Sequence, residues 1–339
     1  MRLLTRITVE GIDNIPSEGP VILAGNHAAY IEPVLMTMMP KRIVEPIGAG
    51  DIPFDGILDS LVGFYGFIPV NRGNLDRTAL NRAISVLQQG GVIGIFPEGG
   101  TWEPGRMVPQ PGAAMLSLRT GATVVPIGFS GLNGALKSAL QLKRPKLLMR
   151  VGEPIPALKA NGSIPDKDQL MAFSRQVLDA VFDLISEEDK NLIPEQASYS
   201  LSVETTSEQL PDPSWGSAVA RFLHLPVILE TLRVNLKLPV KALYEKTGSV
   251  ANLDEVSAAL SAISDYLEVN PAFFTYRFGM EVGRQVAVGV QELHSLLTRA
   301  KIAGEAVRMR TYEAVTYKDG RVETNSKHFL IEPSAQPGY

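Results

Sequence analysis

Apolar runs and helix-period stretches alternate along the first half of the chain. Pro20-Val21-Ile22-Leu23-Ala24, closed by Gly25, is apolar at every position, as in a strand buried on both faces. Pro33-Val34-Leu35-Met36-Thr37-Met38-Met39 predicts a helix with proline in its first turn. Phe67-Ile68-Pro69-Val70 reads as a further strand. Leu80, Ala83, Ile84 and Leu87 recur at helical spacing until Gly90-Gly91 stops the pattern. Val92-Ile93-Gly94-Ile95-Phe96 is a buried strand, 113–119 a helix ended by Gly121, and 123–129 and 146–151 two more strands. Leu170, Phe173, Val177, Val181 and Leu184 mark one face of a longer helix. Two-sided apolar strands separated by helices predict an α/β domain with a mainly parallel sheet flanked by helices.

The pattern changes at Glu187. Residues 187–214 are acidic, rich in Ser, Thr and Gln, and carry Pro194, Pro211 and Pro213, so they read as a linker after a domain at 1–186. Residues 215–339 then predict a smaller, mostly helical accessory region, with helical patterns at 215–235, 253–267 and 273–300. Strands at 309–317 and 322–331 follow, turned at Lys318-Asp319-Gly320 as a β-hairpin. Helices before a hairpin are similar to a winged-helix arrangement. Near balance of acidic and basic residues argues against nucleic acid as its partner.

Composition narrows the chemistry. A chain of 339 residues exceeds one ordinary core, which supports more than one domain. The net charge of −4 provides no general basic field. Absence of cysteine excludes disulfides, thiolate nucleophiles and cysteine-based metal sites. Histidine chemistry must come from His27, His224, His294 or His328. His294, beside Leu293 and Leu296, reads as a packing residue; His224 and His328 have no obvious partners. Residues 1–6 lack the apolar core of a secretory leader, and no run approaches the ~20 apolar residues of a membrane-spanning helix. The expectation is a cytoplasmic protein that meets a membrane, if at all, peripherally.

Ligands of such sheets gather at the carboxyl ends of the strands, and polar residues collect there. In Asn26-His27-Ala28-Ala29-Tyr30-Ile31-Glu32 a carboxylate follows a histidine by five positions, across a strand end and a helix start. Such a carboxylate can accept from one ring nitrogen and raise the basicity of the other, which then takes a proton from an acceptor hydroxyl. The same spacing also fits a capping histidine beside a solvated glutamate. In Phe96-Pro97-Glu98-Gly99-Gly100-Thr101 the glycines let main-chain N–H groups approach a ligand closely. Arg72, after a strand, suits phosphate or carboxylate, or a surface ion pair. Val124-Val125-Pro126-Ile127 is by itself a core strand with an awkward proline.

In this order, and with the lead-in Val9-Glu10-Gly11-Ile12-Asp13-Asn14-Ile15-Pro16 and Gly19-Pro20-Val21-Ile22, these blocks resemble the glycerolipid acyltransferase family typified by lysophosphatidate acyltransferases. The resemblance covers roughly 5–160. It implies that His27 is the general base and that Glu32 orients it. It implies that Arg72, Glu98, Gly99 and Gly100 help hold the acceptor's polar head, and that Pro126 shapes a pocket. The donor implied is an acyl thioester, on coenzyme A or acyl carrier protein, serving as co-substrate with no separate cofactor or metal. The acceptor implied is a lysophospholipid or glycerol phosphate.

The chain departs from the family in three places. Glu32 stands where aspartate is usual. Gly100-Thr101-Trp102 lacks the usual arginine, for which Arg106 is the available substitute. Ala49-Gly50-Asp51 replaces a region that often carries lysine. Each lost cation removes charge-assisted hydrogen bonds to phosphate of roughly 1.5–3 kcal/mol. A non-phosphate lipid alcohol or aminolipid is therefore an alternative acceptor, and a non-catalytic lipid- or acyl-carrier-binding protein a further alternative. Trp102 and the apolar stretch 52–65 fit either a membrane-facing patch or plain packing.

Overall fold

The computed structural model describes residues 4–29, 31–49, 66–70, 76–99, 109–160, 166–207, 209–210, 214–225, 232, 243, 249–271 and 278–333. The chain divides into two compact units. One comprises Met1–Asn71, Asp76–Glu195 and Tyr317–Gly320; the other comprises Arg72–Leu75, Gln196–Thr316 and Arg321–Tyr339.

The first unit contains β1 (Arg6–Glu10), β2 (Val21–Gly25), α1 (Glu32–Met38), β3 (Val44–Ala49), β4 (Ile68–Val70), α2 (Arg77–Gln88), β5 (Val92–Ile95), α3 (Gly112–Thr120), β6 (Thr123–Ser130), α4 (Ala135–Leu140), β7 (Lys146–Val151), α5 (Lys167–Asp183) and α6 (Glu187–Lys190). Seven strands form one sheet in the order β1-β7-β6-β2-β5-β3-β4. Among the pairings described in it, only β6 with β7 is antiparallel. The mainly parallel α/β sheet expected from the apolar runs is therefore present. β2 is buried at all five positions, as its uninterrupted apolar run requires.

Each sheet face has its own core. On one face Leu23, Val125, Ile127 and Phe129 pack with Ile31, Leu35 and Met36 of the α1 region. On the other, Ile22, Ala24 and Val124 pack with Ala83 and Leu87 of α2, Leu116 of α3 and Val177 and Val181 of α5. Local chemistry sets the helix ends. The Asp76 side chain accepts from the Ala79 N–H at 2.9 Å to start α2, and Gly121, at φ 69°, ends α3.

The second unit contains β8 (Pro194–Glu204), β9 (Gln209–Leu210), α7 (Gly216–His224), β10 (Ser249–Asn252), α8 (Leu253–Val269), α9 (Met280–Ala303), β11 (Val307–Tyr317) and β12 (Val322–Glu332). The expected hairpin is β11–β12, paired from Val307↔Ile331 to Thr316↔Val322. It lies within a five-stranded sheet of order β10-β12-β11-β8-β9, so the unit carries more strand than expected.

Part of the 187–214 stretch, read as a linker, is regular structure: α6 and the eleven-residue β8 lie inside it. Leu201 and Val203 are buried while Ser200 and Ser202 face solvent. The polar residues that suggested a linker are in part the outward half of a period-two strand. Among the described residues, no helix is long and apolar enough to cross a membrane.

Gly128 of β6 sits against the end of α5. A Cβ there would lie 2.6 Å from the Leu184 carbonyl carbon and 2.7 Å from its oxygen. Gly128→Ala must displace main chain, and is expected to cost about 1–3 kcal/mol. Urea unfolding checks this, as a lowered midpoint with unchanged slope.

Candidate active site

The site begins where β2 leaves the sheet. Only glycine fits the last position of β2: a Cβ on Gly25 would meet Met36 Cε at 2.7 Å and Phe129 Cε2 at 2.8 Å. The next residue, Asn26, is fully buried. Its Oδ1 accepts from the Phe129 N–H at 2.7 Å, and its Nδ2 donates to the Phe129 carbonyl at 3.1 Å. The amide thus replaces the main-chain pairing that β2 would have supplied, and the peptide is free to turn.

His27 follows on that turn. Its main-chain N–H donates to Glu98 Oε2 at 3.2 Å. Glu98 is 3% exposed and lies just beyond β5, in a turn closed by the Gly99 N–H to the Phe96 carbonyl at 3.0 Å. Gly99 has φ 72°, a conformation that favours glycine. The next two N–H groups, of Ala28 and Ala29, donate to Glu32 Oε1 at 2.5 and 2.6 Å. Glu32 is fully buried at the first position of α1. Burying a carboxylate is costly; the two N–H donors and the positive helix N-terminus offset that cost.

The imidazole is oriented by what surrounds it. Nδ1 lies 3.7 Å from Glu32 Oε1, within ion-pair range and beyond a hydrogen bond. Both Nδ1 and Glu32 Oε2 are buried without a hydrogen-bond partner. One ring face stacks on Phe96, centroids 4.4 Å apart and planes 23° from parallel. The His27 side chain keeps 19% of its surface exposed, and Nε2 is the ring nitrogen not turned to Glu32. This arrangement can accept a proton at Nε2 while the carboxylate balances the charge at Nδ1. The solvated-glutamate reading is excluded by the burial of Glu32.

His27, Glu32, Glu98 and Gly99 therefore come together from two strand ends. Glu98, expected at the acceptor's head, has one oxygen committed to the His27 main chain. Pro126 is buried in β6 opposite Ala24. By strand alternation it shares the face of Val124, whereas Ala28, Ala29 and Phe96 pack on the opposite face. Its carbonyl accepts from the Gly152 N–H at 2.9 Å, so its missing N–H faces past the end of β7 and not β2. Arg72, Gly100 and Arg106 lie outside the described residues, as do Asn71, Trp102 and the apolar stretch 52–65.

Two residues at the site carried no role in the sequence reading. Asn26 had only its place at a strand end as a signal, and Phe96 only its place as the last apolar residue of a strand. His224 gains a partner too. Its Nδ1 lies 3.3 Å from Glu313 Oε2 within the second unit, with Asn325 Nδ2 at 3.4 Å. Burial pushes the Glu313 carboxyl up, but hydrogen bonds from His224, Tyr199 and Asn325 outweigh it and hold the group below the ordinary glutamate range. A cleft of about 890 Å³ beside β1 and β7, lined by Arg6, Lys146, Ser186 and Asp189 among others, includes neither His27 nor Glu32. Among the described residues, no three His, Asp or Glu side chains gather as metal ligands would.

Asn26→Ala strands the buried N–H and C=O of Phe129, and is expected to cost about 2–4 kcal/mol. Asn26→Asp gives no rescue, because its second oxygen faces the Phe129 carbonyl. Denaturant unfolding of both variants checks this.

Comparison with known proteins converges on one group. Residues 6–130 match the Acyltransferase family. A 1-acyl-sn-glycerol-3-phosphate acyltransferase of Borreliella burgdorferi is 33% identical over 134 residues, 38% of this chain and 52% of that protein. A chloroplastic 1-acyl-sn-glycerol-3-phosphate acyltransferase of Arabidopsis thaliana is 26% identical over 166 residues, 46% of this chain and 45% of that one. The chain thus spans about half the length of these relatives. The crystal structure of the 1-acyl-sn-glycerophosphate acyltransferase PlsC from Thermotoga maritima is 20% identical with a TM-score of 0.36, over 54% of this chain and 73% of that one. The stretch that holds His27, Glu32 and Glu98 lies within the residues that match the Acyltransferase family.

Proposed function

We propose that the chain is an O-acyltransferase that moves a fatty acyl group from an acyl thioester to a hydroxyl of a lysophospholipid or glycerol phosphate, with His27 as general base. The observation that carries this reading is the His27–Glu32 pair: a partly exposed imidazole with Nδ1 turned to a buried carboxylate. The names of the relatives, 1-acyl-sn-glycerol-3-phosphate acyltransferases, support the acceptor class. The donor is acyl-coenzyme A or acyl carrier protein, and the acceptor is presented at a membrane that the protein meets peripherally.

In this reading Nε2 removes the acceptor proton as the oxygen attacks the thioester carbonyl. Glu32 stabilises the imidazolium that forms, and no protein nucleophile takes part. A second reading is favoured by one feature. Gly100-Thr101-Trp102 offers no arginine where the family usually has one, which suits an uncharged lipid alcohol or an aminolipid.

The test offers labelled acyl-coenzyme A and acyl carrier protein with lysophosphatidate, glycerol 3-phosphate and uncharged lipid alcohols. His27→Ala is expected to lower turnover by about 10²–10⁴-fold. Glu32→Gln, which keeps an oxygen on the Ala28 and Ala29 N–H groups but removes the negative charge beside Nδ1, is expected to lower turnover as well. Acylation of uncharged acceptors alone selects the second reading. Lipid binding without transfer to any acceptor would sink both and leave a binding protein.

A further inference from the structure

Most sides of the His27 imidazole are already assigned by the fold. Nδ1 is buried and faces Glu32 at 3.7 Å, too far for a hydrogen bond to fix the ring. The main-chain N–H is tied to Glu98, which places the Cα and leaves ring rotation open. Among the described residues, the restraint left is Phe96. Its ring lies almost parallel to the imidazole, with centroids 4.4 Å apart. Phe96 packs against the core cluster that contains Ile31, Leu35 and Val92, so it forms a supported platform. Rotating the imidazole about χ2 would drive its edge into that platform, and Nδ1 would leave Glu32. The contact also has an electronic side. An aromatic face attracts cations within about 6 Å of its centroid, and the imidazole becomes a cation at the moment it takes a proton. An interaction that strengthens as charge develops acts on the transition state more than on the ground state.

We propose that Phe96 is a positioning residue for the acyl transfer: it sets the plane of the His27 ring and stabilises its protonated form. The proposal rests on the reading of His27 as the base. As Nε2 takes the hydroxyl proton, the acceptor oxygen bonds to the thioester carbonyl carbon. The C–S bond then breaks, and the proton on Nε2 passes to the departing sulfur, giving ester and thiol. Phe96 meets neither substrate and acts only through His27.

The test compares Phe96→Leu, Phe96→Tyr and Phe96→Trp by two readouts. The first is turnover with acyl-coenzyme A and lysophosphatidate across pH. The second is proton NMR of the His27 ring, assigned by its disappearance in His27→Ala. In Phe96→Leu, kcat is expected to fall about three- to tenfold. The acceptor KM is expected to stay within about twofold, as for an interaction made in the transition state. The acid limb of the pH–rate profile moves to lower pH, because the imidazolium has lost a stabilising contact. Tyr and Trp restore most of the rate. The His27 ring protons, displaced upfield by the Phe96 ring current, return to ordinary positions in Phe96→Leu and stay upfield in the aromatic variants. Unchanged kcat and unchanged resonances in Phe96→Leu would overturn the proposal. So would a loss that Tyr and Trp do not restore, or a rise in KM at constant kcat. If Phe96→Leu does not fold, Phe96→Trp decides: its larger ring must keep the resonances upfield. If the wild type acylates no acceptor, the acyltransferase reading fails on its own, and unshifted wild-type resonances would separately remove the stacking.

Discussion

The site depends on one side chain doing a strand's hydrogen bonding. β2 lies in the middle of the sheet and stops at Gly25, while its neighbour β6 continues to Ser130. Phe129 is fully buried, and its N–H and C=O point toward the side β2 has vacated. An unpaired buried peptide group costs about 1–3 kcal/mol, so a central strand cannot simply end beside a longer one. The Asn26 amide, one acceptor and one donor, matches the vacancy. Because it does, the main chain is released one residue early and His27 emerges at the sheet's carboxyl end. The histidine's position is a consequence of strand bookkeeping before it is a matter of chemistry.

A second constraint is the buried charge of Glu32. Nothing in a core favours a carboxylate, and one enclosed completely needs compensation from close by. The loop provides it with the Ala28 and Ala29 N–H groups and the start of α1. These donors close the same loop that presents His27, so the compensation and the presentation are one structure. Glu98 adds a tie from the end of β5 to the His27 N–H. Every main-chain N–H from His27 to Ala29 is thereby committed to a carboxylate. The loop is preorganised around the imidazole.

The sheet was readable because two-sided burial leaves a strong mark: β2, β5 and β6 are near-continuous apolar runs with turn residues behind them. β1 and β3 left weaker marks. Arg6–Glu10 is half exposed at the sheet edge, and Val44–Ala49 carries Pro46 and Gly48, which read as breaks. β8 was misread for the opposite reason, since its solvent-facing serines and acids imitate a linker. At the candidate site, the pairing of His27 with Glu32 was readable from spacing joined to a family resemblance. Asn26, Phe96 and the task of Glu98 were not. Their partners are Phe129, the His27 ring and the His27 N–H, and contacts so far along the chain exist only after the sheet has assembled. His224 with Glu313 is the same case in the second unit. Pro126, expected to shape a pocket, lies on the sheet face opposite Ala28, Ala29 and Phe96.

The length of the Glu32 side chain belongs to the same account. The family usually has aspartate at this position, which makes glutamate look like a loosened version of the same dyad. The geometry argues otherwise. Oε1 reaches back from the first turn of α1 to two successive N–H groups, and that same oxygen is the one nearest Nδ1. Removing one methylene would shorten the reach by about one C–C bond, roughly 1.5 Å. That is enough to break contacts of 2.5 and 2.6 Å unless α1 advances with it. α1 is not free to advance, because Leu35 and Met36 are buried and Met36 lies against Gly25 and Gly94. The carboxylate, the loop and the helix position are matched to one another. Glu32 is better understood as re-spaced with its loop than as a loosened substitute for aspartate.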